Sequence, residues 1–224
     1  MRKIEGITTI IWDCDDTIWI HRKDEIEIIL ANMVNIPEVE LFTRQYFGFF
    51  EEFEKRFKEQ KFSYRKVVAL IEERLPILSD YGISAVDFLD KWIQVETSFL
   101  NEDALEVIKR QKEEGYKVVI LTDWFWDSQI KLLSKYGVLE YVDKIYTCDD
   151  GFVKSNPKSA EKIVEKGCES EYVIIGDSLT SDIAFATHAG IRSIWYNWKG
   201  LENKTQYRPT AEISEITEVL KIIE

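Results

Sequence analysis

The chain has 224 residues, of which 45% are hydrophobic and 31% charged, which is enough apolar surface for one large core or for a catalytic domain with a smaller inserted one. Its formal net charge of -12 excludes a nucleic acid polymer as the expected partner, because sequence-independent binding needs a basic surface. No segment is apolar over the length of a membrane span, so we expect no membrane partner. The three cysteines lack CxxC spacing, so we expect reduced thiols in a cytoplasmic protein.

Four short β-branched segments predict the strands of a parallel sheet. They span residues 7–12, 117–121, 172–175 and 192–196. Apolar residues at helical spacing predict five helices between and after these strands. The helices span residues 102–114, 126–136, 159–166, 181–189 and 213–223. The alternation of strand and helix predicts an α/β fold with a doubly wound parallel sheet.

The stretch of residues 21–96 has no strand-like segment and is rich in aromatic and charged residues at helical spacing. It predicts a second domain of roughly four helices, inserted into a catalytic core formed by residues 1–20 and 97–224. An aromatic run in this stretch predicts packing between the helices, with stacking on a base or sugar of a substrate as the alternative. The run contains Phe42, Tyr46, Phe47, Phe49 and Phe50.

Two acidic clusters follow predicted strands: DCDDT at residues 13–17 and GDSLTSD at residues 176–182. Ligands gather at the carboxyl ends of parallel strands, and residues two apart point the same way, so Asp13 and Asp15 can address one pocket. Neighbouring carboxylates repel unless a cation separates them or one is protonated. Both conditions suit phosphoryl transfer, with one carboxylate as nucleophile and the other as proton donor. Asp13, Asp177 and the backbone carbonyl of Asp15 would bind Mg²⁺.

Two further residues complete a predicted phosphate site. Thr122 follows the strand at residues 117–121, where its hydroxyl and the amide of Asp123 can donate to phosphate oxygens. The alternative is an ordinary helix cap. Lys154 lies in a polar loop and could neutralise charge on a phosphoryl group, with an idle, solvent-exposed side chain as the alternative.

The order of these motifs resembles the haloacid dehalogenase superfamily, which has a DxDxT motif, a Thr or Ser at a strand end, a Lys and a GDxxxD-type acidic motif. The resemblance covers residues 1–20 and 97–224. It implies a Rossmann-like core in which Asp13 is the nucleophile and Asp15 the general acid and base. It also implies that Thr122 and Lys154 bind the substrate phosphate.

Within the same resemblance, Asp177 falls on the metal ligand and Asp182 on its acidic companion. The chain departs from the family pattern at two places. The proline that usually follows the motif lysine is absent, and Lys158 is a possible substitute for that lysine. Asp123-Trp124 replaces the Asn-Gly of many relatives, which places a carboxylate and a bulky ring near the predicted phosphate site.

The resemblance implies a type-one helical cap and a magnesium-dependent phosphatase that forms an aspartyl phosphate. The expected partner is a small phosphorylated metabolite, and the carboxyl-terminal part resembles the nucleotidase-like branch, so a nucleoside 5'-monophosphate is one expected substrate. We expect a monomer or homodimer.

A sugar phosphomutase of the same superfamily is the main alternative. A dehalogenase is disfavoured because that branch lacks an acid at the position of Asp15. A non-catalytic phosphate-binding module is disfavoured because such proteins typically lose a motif acid, and none is missing here. A phosphonatase would need a lysine in the cap that faces the site. The lysines available for that role are Lys23, Lys55, Lys58 and Lys61.

Overall fold

The computed structural model describes residues 3–22, 24–58, 64–95 and 97–223. It divides into two compact units, one formed by Met1–Ile20 with Phe99–Glu224 and the other by His21–Ser98. We refer to them as the sheet unit and the helical unit. Across the described ranges, no helix combines the length and the apolar composition needed to cross a bilayer.

The strands form a six-stranded sheet with the order β5-β4-β1-β6-β7-β8 and a two-stranded sheet of β2 and β3. Every pairing in the larger sheet is parallel. The strands are β1 (Thr9–Trp12), β2 (Trp19–His21), β3 (Ser98–Leu100), β4 (Lys117–Leu121), β5 (Lys144–Tyr146), β6 (Tyr172–Gly176), β7 (Arg192–Tyr196) and β8 (Ala211–Ile213). Because β1 lies between β4 and β6, the residues that follow these three strands meet at one edge of the sheet, which we call the carboxyl edge.

Within the described ranges, ten α-helices accompany the strands. Those of the helical unit are α1 (Glu25–Asn32), α2 (Val39–Lys58), α3 (Tyr64–Arg74), α4 (Ile77–Asp80) and α5 (Ala85–Trp92). Those of the sheet unit are α6 (Glu102–Glu113), α7 (Trp126–Lys135), α8 (Pro157–Ile163), α9 (Ala184–Ala189) and α10 (Val219–Ile222).

Alternate residues of the central strands pack on opposite faces of the larger sheet. In β1, Ile10 and Trp12 belong to a core cluster with residues of α6, α7 and α10. Ile11, between them, belongs to a second cluster with residues of α8 and α9. This division follows from the two-residue period of a strand, and it means that helices cover both faces. The predicted α/β fold with a doubly wound parallel sheet is confirmed.

The helical unit is built around an aromatic core. Phe42, Tyr46 and Phe49 are almost fully buried, as the packing hypothesis predicts, whereas Phe47 is 54% exposed. The Tyr46 hydroxyl accepts a hydrogen bond of 3.0 Å from the indole N–H of Trp92 and donates one to Glu25. The buried polar group of the tyrosine is therefore satisfied inside an otherwise apolar cluster.

Several elements differ from the sequence-based prediction. The short strands β2, β3, β5 and β8 were not predicted, and the predicted helix over residues 213–223 is wrong at its start. Ala211–Ile213 is strand β8, which pairs with β7, and it is followed by a 3₁₀ turn at Ile216–Glu218 before α10. The apolar spacing of residues 213, 216, 219 and 222 fits the turn and helix. Residues 211–213 nevertheless form a strand, because they supply the backbone hydrogen-bond partners that the outer edge of β7 needs.

Two predicted helices keep their place but change their ends. Helix α8 begins at Pro157 rather than at residue 159, because proline suits the first helical turn and the Asn156 side chain accepts from the N–H of Lys158. It ends at Ile163. In the predicted helix over residues 181–189, Leu179–Ile183 forms a wider π turn and α9 begins only at Ala184.

Candidate active site

Asp13 and Lys154 lie at the centre of the carboxyl edge. Asp13 directly follows β1, and its N–H continues the ladder by donating to Ile175 at 3.0 Å. The carboxylate is buried, accepts a hydrogen bond of 2.9 Å from the Thr17 hydroxyl at Oδ2, and binds the Lys154 ammonium at Oδ1. Lys154 Nζ also binds Asp182 Oδ1 at 2.7 Å, and this lysine is only 2% exposed. The solvent-exposed alternative for Lys154 is therefore wrong.

Asp177 and Asp182 join this group from the loop after β6. Each offers a carboxylate oxygen within 4.8 Å of one from Asp13. The backbone N–H of Ser178 donates to Asp182 Oδ2 at 2.9 Å, which fixes that carboxylate. Gly176 allows the close approach, because a Cβ atom at this position would lie 2.2 Å from the Asp182 side chain.

Asp15 has a different set of neighbours. Its Oδ1 accepts a hydrogen bond of 2.9 Å from the indole N–H of Trp19, and its Oδ2 accepts one of 2.9 Å from the side-chain amide of Gln129. Gln129 belongs to the buried face of α7. The two N–H groups give the carboxylate a defined orientation next to Asp13.

Thr122 and Asp123 follow β4 at the same edge. The Thr122 side chain is fully buried, and its oxygen accepts from the N–H of Trp124 at 3.2 Å, which leaves the hydroxyl proton able to donate. The Asp123 carboxylate accepts from the N–H of Lys154 and from the hydroxyl of Ser181, both at 2.8 Å. The unusual acid thus connects the loop that carries Lys154 with the loop that carries Asp182.

The electrostatics of this group follow from burial of several like charges around one cation. Burial, followed by the negative charge of Asp182, raises the pKa of Asp13 well above its usual value, and Lys154 opposes this rise. Burial and Asp182 also raise the pKa of Asp177 to about 7. For Lys154, burial alone lowers the pKa, but the charges of Asp13, Asp182 and Asp123 outweigh it and raise the pKa.

A loop after β7 contributes contacts that the sequence analysis did not predict. The Lys199 ammonium lies 2.5 Å from Asp16 Oδ2 and 3.6 Å from Asp177 Oδ2, and the indole N–H of Trp198 donates to the carbonyl oxygen of Asp16 at 3.1 Å. Asp16 is in the left-handed region with φ 59°, a conformation that aspartate tolerates better than most residues. No sequence motif marks these contacts, because they depend on where the loop returns to the sheet.

The donor set at the carboxyl edge fits a hard divalent cation. Asp13, Asp177 and Asp182 present oxygen atoms only, and Mg²⁺ prefers one or two carboxylates together with carbonyl oxygens and waters. The raised pKa values of Asp13 and Asp177 reflect burial first and repulsion by Asp182 second, and a bound cation would oppose both effects by favouring the charged carboxylates. Both oxygens of Asp13 and both oxygens of Asp182 accept hydrogen bonds, and Asp177 Oδ2 lies 3.6 Å from the Lys199 ammonium.

The structure brings all the predicted site residues of the sheet unit to the carboxyl edge. The lysines named for the phosphonatase alternative belong to the helical unit. Lys23, Lys61 and the side chain of Lys58 lie outside the described residues, and the Lys55 side chain is 67% exposed and 3.9 Å from Glu52.

Comparisons with known proteins agree with this architecture. Glyceraldehyde 3-phosphate phosphatase from Pyrococcus furiosus is 25% identical over 183 residues, which cover 72% of this chain and 76% of that protein. Pyrimidine 5'-nucleotidase PynA from Streptococcus pneumoniae is 32% identical over 116 residues, or 50% of this chain and 49% of that protein.

A solved structure of the putative HAD-hydrolase YfnB from Bacillus subtilis, bound to magnesium, has the same fold. It aligns with a TM-score of 0.70 and 22% identity and covers 99% of this chain and 98% of that one. A family model described as haloacid dehalogenase-like hydrolase matches residues 7–190. The chain therefore belongs to the haloacid dehalogenase-like hydrolases.

Proposed function

We propose that the protein is a magnesium-dependent phosphatase that hydrolyses a small phosphomonoester through an aspartyl phosphate on Asp13. One observation carries this proposal: Asp13 is buried at the end of the central strand, in contact with Lys154 and within 4.8 Å of two further carboxylates. A nucleophilic carboxylate, a fixed cation and an oxygen-rich metal site are the groups that phosphoryl transfer requires.

In the first step, a carboxylate oxygen of Asp13 attacks phosphorus. The bond from phosphorus to the leaving oxygen breaks, and its electron pair stays on that oxygen, which takes a proton from the carboxyl group of Asp15. The hydroxyl of Thr122 and the ammonium of Lys154 stabilise the negative charge on the equatorial oxygens. The Asp123 carboxylate holds the Lys154 loop in place by accepting a hydrogen bond from the backbone N–H of Lys154.

In the second step, the oxygen of a water molecule attacks the aspartyl phosphate. Asp15 takes a proton from this water, the bond between phosphorus and Asp13 breaks, and the Asp13 carboxylate is restored with release of phosphate. Asp13, Asp177 and the carbonyl oxygen of Asp15 would hold Mg²⁺, and Asp182 orients Lys154. When bound, the ion neutralises charge on the phosphoryl oxygens.

The named relatives support the phosphatase assignment and bear on the substrate. One is named as a phosphatase of a triose phosphate and another as a nucleotidase of pyrimidine 5'-nucleotides, and the solved relative contains magnesium. What these substrates share is a phosphate monoester on a small metabolite. We therefore propose this class, with a nucleoside 5'-monophosphate and a triose phosphate as the first compounds to test.

The test measures phosphate release from para-nitrophenyl phosphate, with and without Mg²⁺, by the wild-type chain and by Asp13→Asn. We expect metal-dependent release that falls at least about a thousandfold in the variant, because the nucleophile is lost. Asp103→Asn, at an exposed position of α6, serves as the matched control and should keep wild-type activity. Full activity of Asp13→Asn would overturn the proposal. With a sugar phosphate in place of the aryl phosphate, an isomerised phosphate ester as product would indicate a mutase.

A further inference from the structure

The carboxylate of Asp15 is held at both of its oxygens by side-chain N–H groups from other parts of the sheet unit. Trp19 donates to Oδ1 and Gln129 donates to Oδ2, each at 2.9 Å. Trp19 is fully buried and Gln129 is 1% exposed. Each carboxylate oxygen has two lone pairs, so accepting one such hydrogen bond does not by itself prevent an oxygen from exchanging a proton with another group.

We infer that Gln129 is a positioning residue for Asp15, an inference that rests on the proposed phosphatase function. Its amide fixes the plane of the Asp15 carboxyl group, so that one oxygen faces the leaving group in the first step and the attacking water in the second. Proton transfer by a positioned side chain depends steeply on geometry, and a displacement of about 1 Å can lower the rate about a hundredfold.

The unpaired half of the Gln129 amide argues against a role in packing alone. Within the part of the chain that the structure describes, Gln129 Oε1 is buried and has no hydrogen-bond partner. A buried acceptor without a partner is destabilising, so an apolar side chain of similar length would suit this position better if it served only the core of α7. The hydrogen bond that its N–H group donates to Asp15 explains why a glutamine occupies this position.

A second buried glutamine provides a matched control. Gln111 on α6 is 2% exposed, accepts a hydrogen bond of 2.9 Å from the indole N–H of Trp12, and also has an unpaired amide atom among the described residues. Among the described residues, no hydrogen bond joins its side chain to a carboxylate of the candidate site. Gln111→Met therefore repeats the chemical change of Gln129→Met away from Asp15.

The experiment follows para-nitrophenol release in the first turnover and in the steady state, with Mg²⁺ present. A nitrophenolate leaves without needing a proton, whereas hydrolysis of the aspartyl phosphate needs Asp15 as base. In Gln129→Met we expect a prompt burst close to one equivalent per chain, followed by a steady-state rate that is about ten- to a hundredfold lower than in the wild type. The phosphorylated chain should then accumulate and be detectable by mass spectrometry.

A purely structural effect of the substitution would lower the burst amplitude and the steady-state rate together, and Gln111→Met should show at most this behaviour. Gln129→Asn retains the amide but shortens the side chain, and it gives a second measurement if Gln129→Met does not fold. Wild-type kinetics in both Gln129 variants would overturn the inference and leave the proposed function intact. Absence of turnover in the wild-type chain would instead overturn the proposed function and the inference with it.

Discussion

The carboxyl edge of the sheet and the aromatic core of the helical unit are both buried, but they are held together by opposite means. At the carboxyl edge, one lysine is in contact with two carboxylates, and a third carboxylate lies close by. In the helical unit, the ring of Tyr46 packs against the rings of Phe42 and Trp92, with distances between ring centroids of 5.9 Å and 6.4 Å. The Tyr46 hydroxyl is hydrogen-bonded.

The residues proposed for chemistry and the residues that stabilise the fold are therefore found in different regions. Burial of like charges is unfavourable, as the raised pKa values of Asp13 and Asp177 indicate, so the carboxyl edge retains its acids at a cost to the folded state. Burial of aromatic rings is favourable by about 1.5–3 kcal/mol per large apolar side chain. Substitutions in the two regions should therefore change different measured quantities.

The largest effect is expected for Lys154→Met, which removes the buried cation that Asp13 and Asp182 share. The free energy of unfolding should fall by about 3–5 kcal/mol, because two carboxylates lose their buried partner. Phosphatase activity should fall at least about a thousandfold. Urea unfolding and phosphate release measure the two quantities, with Lys158→Met on the exposed side of α8 as the control. Unchanged stability would show that Lys154 does not offset the carboxylate charges.

Phe49→Ala should affect stability and leave the site residues of the sheet unit in place. Phe49 is fully buried and packs against the ring of Trp92, with 5.2 Å between the two ring centroids. Removing it should lower the free energy of unfolding by about 3–5 kcal/mol. Phe47→Ala, in the same helix but exposed, should cost much less. Equal losses in the two variants, measured by urea unfolding, would contradict the assignment of Phe49 to the core.

Gly176→Ala tests the close approach at the carboxyl edge. The added methyl group would lie 2.2 Å from Asp182, so this carboxylate must move away from Lys154 and Ser178. We expect activity to fall about a hundredfold and unfolding free energy to fall by about 1–3 kcal/mol. Gly48→Ala in α2 meets no atom within 4 Å and should be neutral or stabilising. Wild-type activity of Gly176→Ala would rule out a need for Asp182 in its present position.

The smallest effect is expected for Lys199→Met. The ammonium group lies 3.6 Å from Asp177, and as a like charge it should weaken the binding of a divalent cation there. Calorimetric titration with Mg²⁺ alone should therefore give a dissociation constant that is roughly three- to tenfold lower in the variant. Lys204→Met, with an 80% exposed side chain in the same region, is the control. Weaker binding by Lys199→Met would indicate that this lysine instead holds Asp177 in place.

The central strands were predictable from the sequence because they are buried on both faces and therefore apolar along their whole length. The edge strands β5 and β8 were not, because three residues of strand carry no distinct periodicity. The last residue of β8, Ile213, falls in the predicted helix for a related reason, because the apolar residues after it have a spacing that a 3₁₀ turn and a helix share.

The acids of the candidate site were predictable because each follows a predicted strand, and parallel strands end at a common edge. The hydrogen bond from Gln129 to Asp15 was not, since it depends on the position and rotation of α7 on the sheet. The contacts of Lys199 depend in the same way on a loop that returns to the carboxyl edge. Sequence spacing identifies the residues that one strand presents, and it does not identify those that reach the site from other elements.

The central place of β1 in the sheet has a consequence for biosynthesis. Ile11 pairs with Val119 on one side and with Ile174 on the other, so β1 leaves the ribosome long before both of the strands that flank it. Until β6 has emerged, one edge of β1 has no hydrogen-bond partners, which exposes the nascent chain to misassembly. The same order means that Asp13 and the acids after β6 come together only once β6 has been made, so we expect a chain that stops before β6 to lack the candidate site.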